Sequence, residues 1–223
     1  MNACAYFDKE KKGKCIETME AHVKKGLELI EDLYIKRDYG KFLGRLLGVG
    51  SKTANDILRK TYALHDVGKC LEEFQLRGFS FGYHAFYSYL IAREALREFG
   101  SAGKVASAAI LLHHHDWIVK ESPEKPRNLE LCSECISVIE DLSGVTIPST
   151  LPWIDPRDAY ETADSVLVSN LRAVYAILLP ITVADNYAAA CNRGGEGSAL
   201  GKEIFEMLKV RGWNIACCIP SRL

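Results

Sequence analysis

A long helical pattern dominates the C-terminal half of this chain, from Ala159 to Ala190. We predict a single long helix there with a kink at Pro180, because a proline removes one backbone hydrogen bond and crowds the preceding turn. Its most apolar part is interrupted by Asn170, Arg172 and Pro180, which argues against a membrane span. We therefore expect this helix to be buried in a protein core.

Shorter helical patterns fill most of the remaining chain. From the recurrence of apolar positions at helical spacing we predict six further helices: Glu17–Leu33, Ser51–Leu64, Tyr83–Phe99, Ala102–Leu112, Leu129–Leu142 and Ala199–Val210. No alternating pattern typical of a strand and no internal repeat accompanies them. The prediction is an all-α, single-domain helical bundle over residues 1–223, with a ligand-bearing core at about 17–192 and a C-terminal helix and tail at 198–223.

Charge and composition exclude some classes of function. Lys and Arg total 28 against 29 for Asp and Glu, so the net charge of −1 gives no overall attraction to nucleic acid or to an anionic membrane. A polyanion would have to be captured by a local patch or a metal. Charged residues occupy positions 8 to 12, where a signal peptide needs an apolar run, so we expect a cytoplasmic protein.

The eight cysteines lack the dense, regular spacing of a small secreted disulfide scaffold, and we expect most of them to be buried thiols. Cys132 and Cys135 form a lone CxxC, so a zinc site completed by Cys217 and Cys218 is an alternative. Gln75 is the only glutamine, and depletion of this thermolabile residue type indicates a thermophilic source. Cytosolic disulfides also occur in such sources.

The adjacent pair His65-Asp66 offers a cation one neutral nitrogen and one anionic oxygen at a single point of the backbone. The other histidines lie at predicted helix ends or, for His22, inside a helix. A hydrolytic metal site takes such ligands from separate helices, so that the cage is rigid while a position stays open to water. The prediction is two cation sites that share Asp66, one completed by His22, His65 and Asp185, and the other by His84 with two of His113, His114 and His115.

This arrangement predicts phosphoester hydrolysis. Two cations about 3.5–4 Å apart lower the pKa of a bridging water and neutralise the charge that grows on a phosphate during in-line attack. Asp66 would bridge the metals and orient the nucleophilic water. Lys69 could hold a non-bridging phosphate oxygen as a point charge, or it could be a solvated lysine after a helix end.

The order of these residues resembles the HD phosphohydrolase superfamily, in which a lone His is followed by His-Asp, by further His and by a late Asp on a long helix. The match spans Ala21 to Ala190. Within the superfamily, the segment His65-Asp66-Val67-Gly68-Lys69 with Phe74-Gln75 resembles the HD nuclease of CRISPR type I interference. The resemblance extends to His84 and Ser88, and to a histidine pair after an apolar helix, which here is a run of three.

The resemblance implies metal ligands at His22, His65, Asp66, His84, Asp185 and two of His113, His114 and His115. It also places Ser88 at the substrate, and we predict that Lys69 contacts the substrate and is catalytic together with Asp66. The enzymes it resembles cut single-stranded DNA, in some members RNA, with manganese, magnesium, nickel, cobalt or iron. Because no helicase sequence is present here, it implies a stand-alone nuclease subunit, with a separate helicase and a crRNA-guided surveillance complex as partners.

Two alternatives stay open for the function. An HD phosphohydrolase of small nucleotides would use the same metals in a closed pocket, whereas a non-catalytic subunit would keep a metal for structure or recruit a helicase. Tyr83, Phe86 and Tyr87 could stack on bases near His84, although we expect core packing for at least two of them. The basic stretch 120–127 could contact a nucleic-acid backbone or form a solvated loop.

Overall fold

The computed structural model describes residues 3–8, 10–114, 123–193 and 199–210. Within these ranges the protein forms one β-hairpin, from β1 (Cys4–Phe7) and β2 (Cys15–Thr18), and nine α-helices: α1 (Met19–Leu33), α2 (Tyr39–Leu47), α3 (Ser51–Leu64), α4 (Glu72–Arg77), α5 (His84–Ala95), α6 (Gly100–Leu111), α7 (Ser133–Ser143), α8 (Pro156–Asn192) and α9 (Ala199–Val210). Short 3-10 turns lie at Ile35–Arg37, Val67–Cys70 and Arg97–Phe99. The predicted all-α class is confirmed.

The long helix α8 lies at the centre of this arrangement and packs against α1, α6 and α9. Its helical geometry is lost at Asn170 (φ −134°, ψ 31°) and not at the predicted Pro180. The side chain of Asn170 donates a hydrogen bond to the carbonyl of Val166, 3.1 Å away. A side chain that competes for the carbonyl of the preceding turn commonly bends a helix, which accounts for the position of the break.

One face of α8 is buried and the other is exposed. The helix is long and apolar enough to cross a membrane by length and composition alone, and 39% of its most apolar window is buried inside the protein. An apolar stripe of Val168, Leu171, Tyr175 and Leu179 faces outward. The prediction of a buried helix is therefore right for the face that packs on α1 and α6.

The N-terminal β-hairpin corrects the prediction that the chain has no strands. β1 and β2 have four residues each, too few for an alternating pattern to be recognised, and a disulfide joins Cys4 to Cys15 across them. The first helix consequently begins at Met19, while Glu17 belongs to β2. Thr18 caps the helix, because its hydroxyl accepts a hydrogen bond from the backbone N–H of Ala21.

The expectation that most cysteines are thiols is wrong for the described residues. Two pairs have Cα atoms at disulfide distance and are bonded: Cys4 with Cys15 at 5.7 Å and Cys70 with Cys135 at 5.5 Å. Cys191 is disulfide-bonded as well. Because Cys135 is consumed in this way, it cannot join Cys132 in a zinc site; Cys132 is a free thiol. Cys217 and Cys218 lie outside the described residues.

Candidate metal centre

Five separate segments of the chain bring histidine and aspartate side chains together. Ligand atoms of two groups lie within 4.8 Å of one another: a first cluster of His22, His65, Asp66 and Asp185, and a second cluster of Asp66, His84, His113 and His114. They come from α1, the end of α3, the first residue of α5, the end of α6 and α8. As predicted, Asp66 belongs to both groups. His115 lies outside the described residues.

In the first cluster two imidazole nitrogens face two carboxylates. The Nε2 atoms of His22 and His65 are 3.4 Å apart. Each lies 3.5 Å from Oδ2 of Asp66, and they lie 3.3 and 3.6 Å from Oδ1 of Asp185. These four atoms therefore converge on one small volume, in which a cation would meet two imidazole nitrogens and two carboxylate oxygens.

The second cluster is built on the other oxygen of the same aspartate. Oδ1 of Asp66 lies 3.3 Å from Nε2 of His84 and 3.7 Å from Nε2 of His113. The Nε2 atoms of His84 and His114 approach to 2.7 Å. The two carboxylate oxygens of Asp66 thus point into different clusters, which is the geometry required of a bridging ligand.

Backbone carbonyls orient three of the histidine rings in the same way. In His65, His84 and His113, Nδ1 lies within hydrogen-bond distance of the carbonyl oxygen three residues earlier. The acceptors are Tyr62 at 2.5 Å, Phe81 at 2.7 Å and Ile110 at 2.6 Å. A hydrogen bond donated from Nδ1 leaves Nε2 deprotonated and aimed into the clusters, as a metal ligand requires.

His22 is oriented by a buried carboxylate instead. Its Nδ1 lies 2.8 Å from Oε1 of Glu17, whose exposed fraction is 2%. The same carboxylate accepts hydrogen bonds from Nδ2 of Asn192 at 2.8 Å and from Nε of Arg193 at 2.7 Å. We call the group of Glu17, Asn192 and Arg193 the Glu17 clamp. The sequence alone did not indicate it. Glu17 fell inside a predicted helix, and its partners lie about 175 residues away.

Burial and charge shift the pKa values of the first cluster. Burial alone would lower the pKa of His22, but hydrogen bonds to Asp185 and Glu17 raise it to about 10. Burial opposes ionisation of Glu17, yet His22 lowers its pKa to about 2. The pKa values of Asp66 and Asp185 also lie well below the usual range, despite burial, because Lys69 and His22 respectively stabilise their anions. The carboxylates are therefore anionic at neutral pH.

Two buried atoms in the second cluster have no hydrogen-bond partner among the described residues: Oδ1 of Asp66 and Nε2 of His113. Unpaired polar atoms in a protein interior are costly. Burial, together with His113 and His84, lowers the pKa of His114 to about 2, so this ring is neutral. An imidazole nitrogen and a carboxylate oxygen that lack partners are donor atoms that a divalent cation satisfies, so the residues present fit a metal.

Lys69 lies at this centre and is not a solvated residue after a helix end. Its Nζ is 2.6 Å from Oδ2 of Asp66, and the side chain is almost fully buried. Ser88, placed at the substrate by the resemblance, is completely buried. Its hydroxyl accepts a hydrogen bond from the backbone N–H of Gly68 at 2.8 Å. Ser88 therefore holds the turn at Val67–Cys70 against α5, and its role at the substrate stays a prediction.

Gln75 connects the same turn to the N-terminal hairpin. Its Nε2 donates to the carbonyls of Lys69, at 2.8 Å, and of Cys4, at 2.9 Å, while its Oε1 accepts from the N–H of Cys4 at 2.9 Å. The neighbouring Phe74 is buried in the core. The Phe-Gln part of the resemblance thus has a structural role, because it links the segment that carries Asp66 to the hairpin that carries Glu17.

Gly68→Ala tests how closely the turn at Val67–Cys70 must approach α5. A Cβ at this position would overlap the carbonyl oxygen of His84 and lie 2.7 Å from the backbone N of Ser88. Since both are backbone atoms of α5, we expect a loss of about 1–3 kcal/mol of unfolding free energy and weaker metal binding by the second cluster. Urea denaturation and metal titration measure the two effects. Gly50→Ala, where a Cβ meets nothing within 4 Å, is the control; equal losses in both variants would contradict the interpretation.

Comparison with known families agrees with this geometry. Residues 34–144 match the family described as HD domain. The matched range contains His65, Asp66 and the second cluster, whereas His22 and Asp185 lie on either side of it. No curated protein matches the chain. Residues 34–144 therefore form an HD domain, and such a domain implies a metal-dependent phosphohydrolase.

Proposed function

We propose that this protein is a metal-dependent nuclease that cleaves single-stranded DNA, or RNA, in CRISPR interference. In this proposal it acts in the cytoplasm beside a separate helicase and a crRNA-guided surveillance complex. The observation that carries the proposal is the shared Asp66, whose two oxygens face two clusters of ligands. The HDVGK segment with Phe74 and Gln75, and its resemblance to CRISPR nucleases, favours a nucleic-acid substrate over a small nucleotide.

The residues of the centre have separable roles in this chemistry. Two divalent cations, when bound, would supply a water of lowered pKa and would neutralise charge on the phosphate. Asp66 is placed to bridge them and to accept a hydrogen bond from the attacking water. Lys69, 2.6 Å from Asp66, carries the positive charge nearest to this carboxylate and could hold a non-bridging phosphate oxygen. The Glu17 clamp and the backbone carbonyls hold the imidazoles in place.

The proposal is tested by adding manganese, magnesium, nickel, cobalt or iron separately to metal-stripped protein. Labelled single-stranded DNA, single-stranded RNA, duplex DNA, nucleoside phosphates and cyclic nucleotides serve as parallel substrates. We expect cleavage of the single strands only when a divalent ion is present, and little cleavage of the duplex, because its strands are paired. Metal content is measured on the same samples.

Two other results would contradict the proposal, and each would favour one of the alternative functions. Hydrolysis of nucleoside phosphates or cyclic nucleotides without cleavage of any strand would identify a small-nucleotide phosphohydrolase. Metal binding that raises the unfolding temperature but supports no hydrolysis would identify a structural metal in a non-catalytic subunit. An ion-free sample of each substrate controls for contaminating nucleases.

A further inference from the structure

A cleft of about 750 Å³ lies beside the metal centre, between α4, the start of α5 and the segment 123–127. Three of its lining residues are cationic: Arg77, Lys125 and Arg127. Tyr83 supplies partly exposed aromatic surface. The metal centre does not use any of these side chains.

We propose that this strand cleft binds a stretch of single-stranded nucleic acid next to the phosphodiester that is cut. The inference rests on the proposed function for the position of the scissile bond. The binding itself depends only on the charge and shape of the cleft, so it can be measured without catalysis.

The cleft and the second cluster are neighbours through the backbone. Gly82 and Tyr83 line the cleft, and His84, whose Nε2 lies 3.3 Å from Asp66, is the next residue. Because a residue of the second cluster directly follows two residues that line the cleft, a polymer bound at the metal centre can extend into the cleft. A mononucleotide held at the metal centre would leave the cleft unused.

The charges in the cleft favour a polyanion, although the whole chain has a net charge of −1. Of the two acids that line it, Glu73 is 3.5 Å from the guanidinium of Arg77. The second acid, Glu124, is exposed and keeps its negative charge, because only its backbone carbonyl accepts the hydrogen bond from Tyr87. Lys125 is exposed and forms no ion pair with any residue that the structure describes, and the same holds for Arg127. The three cations against two acids give the lining a net positive charge, and Lys125 and Arg127 remain available for phosphates.

Exposed aromatic side chains supply stacking surface. Tyr83 lines the cleft and is 38% exposed, and Phe79, which is 53% exposed, directly precedes the lining residue Ser80. Aromatic rings beside cations are the combination with which proteins bind single strands without reading their sequence. Phe86 and Tyr87 are buried, as expected for two of the three aromatic residues considered from the sequence. Stacking therefore falls to Tyr83 and to Phe79.

The backbone of Tyr83 adds a second indication of function. Its φ of 57° lies in the left-handed region, which residues other than glycine rarely adopt. Strain of this kind concentrates at functional sites, where the surrounding structure holds it in place. Here it lies between the cleft and His84, at the point where a bound strand would pass from one to the other.

The test measures binding of a fluorescently labelled single-stranded oligodeoxynucleotide by anisotropy, with metal-stripped protein in chelator. We compare wild type with the triple variant Arg77→Gln, Lys125→Gln, Arg127→Gln. The charge-matched control is Lys24→Gln, Lys52→Gln, Lys104→Gln, at exposed lysines that do not line the cleft. We expect the Kd of the cleft variant to rise at least about tenfold. The slope of log Kd against log salt should fall by about 1.4, since two cations are available and each single-strand phosphate contact contributes about 0.7.

Two further variants separate stacking from charge and guard against misfolding. Tyr83→Ala should weaken binding by about 5- to 150-fold with little change in the salt slope, because base stacking contributes about 1–3 kcal/mol. If the triple variant does not fold, the single variants Lys125→Gln and Arg127→Gln replace it, since both side chains are exposed. Each should then lower the salt slope by about 0.7.

Failure of the strand cleft differs from failure of the proposed function. Equal binding by the cleft variant and the lysine control would contradict the proposal that the cleft binds a strand. Absence of binding by wild type at low salt would contradict it as well. Cleavage of single strands with an unchanged KM in the cleft variant would also overturn it while leaving the nuclease intact. If the cleft variant loses binding and wild type cleaves no strand with any ion, strand binding by the cleft is supported and the proposed nuclease activity is rejected.

Discussion

Asp66→Ala is expected to abolish metal-dependent cleavage and to remove cations from both clusters. Asp66 is the one residue that the two groups share, and each of its oxygens faces a different set of imidazoles. Its loss would remove the bridging anion and leave Lys69 without its carboxylate partner. We expect single-turnover cleavage to fall at least about a thousand-fold, the upper range for losing one electrostatic contact at a reacting centre. His65→Ala combined with Asp66→Ala should be equally inactive.

Metal content distinguishes this role from a general loss of structure. Wild type and Asp66→Ala are loaded with manganese, freed of excess ion and analysed for bound metal beside the cleavage assay. Asp164→Ala, an exposed aspartate of α8, is the matched control and should retain metal and activity. Undiminished cutting by Asp66→Ala would reject the assignment of the centre. Loss of cutting with full metal content would reject its bridging role.

Glu17→Ala is expected to weaken both the fold and the first cluster. The substitution would leave Nδ1 of His22, Nδ2 of Asn192 and Nε of Arg193 without their common acceptor. Removing one partner of a buried ion pair costs about 3–5 kcal/mol of unfolding free energy. Loss of a carboxylate that orients a metal-bound histidine lowers metal affinity by about 10- to 100-fold. Denaturation in urea and calorimetric metal titration measure these losses.

Glu17→Gln separates orientation from charge. The amide oxygen can still accept a hydrogen bond from His22, so we expect metal affinity between those of wild type and Glu17→Ala. Because the pKa of Glu17 is lowered to about 2 in the folded protein, its stabilisation is complete above its ordinary value of 4.5 and is lost as the pH falls toward 2. The glutamine variant should lack that part of the acid dependence. Glu20→Ala, at an exposed glutamate, is the control. Equal metal affinity in all variants would reject the role of Glu17 in orienting His22.

The parts of the fold that could be predicted are those governed by local periodicity. Ser51–Leu64 and Ala199–Val210 coincide with α3 and α9, because a recurring apolar face and flanking glycines determine such helices locally. α4 has only six residues, too few for a periodic pattern, and α2 was missed as well. The hairpin depends on a disulfide and on Gln75, neither of which periodicity can detect.

The candidate site, like the fold, has a part that the sequence predicts and a part that depends on tertiary packing. The order of His22, His65-Asp66, His84 and Asp185 led to two clusters that share an aspartate, and the structure brings those atoms together. Contacts made by tertiary packing were not foreseen. Ser88 is turned inward by its hydrogen bond to Gly68, and Glu17 meets Arg193 from the opposite end of the chain.

The Cys70–Cys135 disulfide closes a ring of the chain with a sequence separation of 65 residues. His84, His113 and His114 all lie within this ring, whereas His22 and Asp185 lie on the two arms outside it. A closed ring of that size removes about 4 kcal/mol of unfolded-chain entropy in the loop-entropy description. The three histidines of the second cluster therefore stay tethered to one another even when the arms separate. Asp66 and His65 lie on the N-terminal arm, so the first cluster and the shared carboxylate require the arms in place. A reducing compartment would open the ring, which makes the redox state of the surroundings a variable in metal retention.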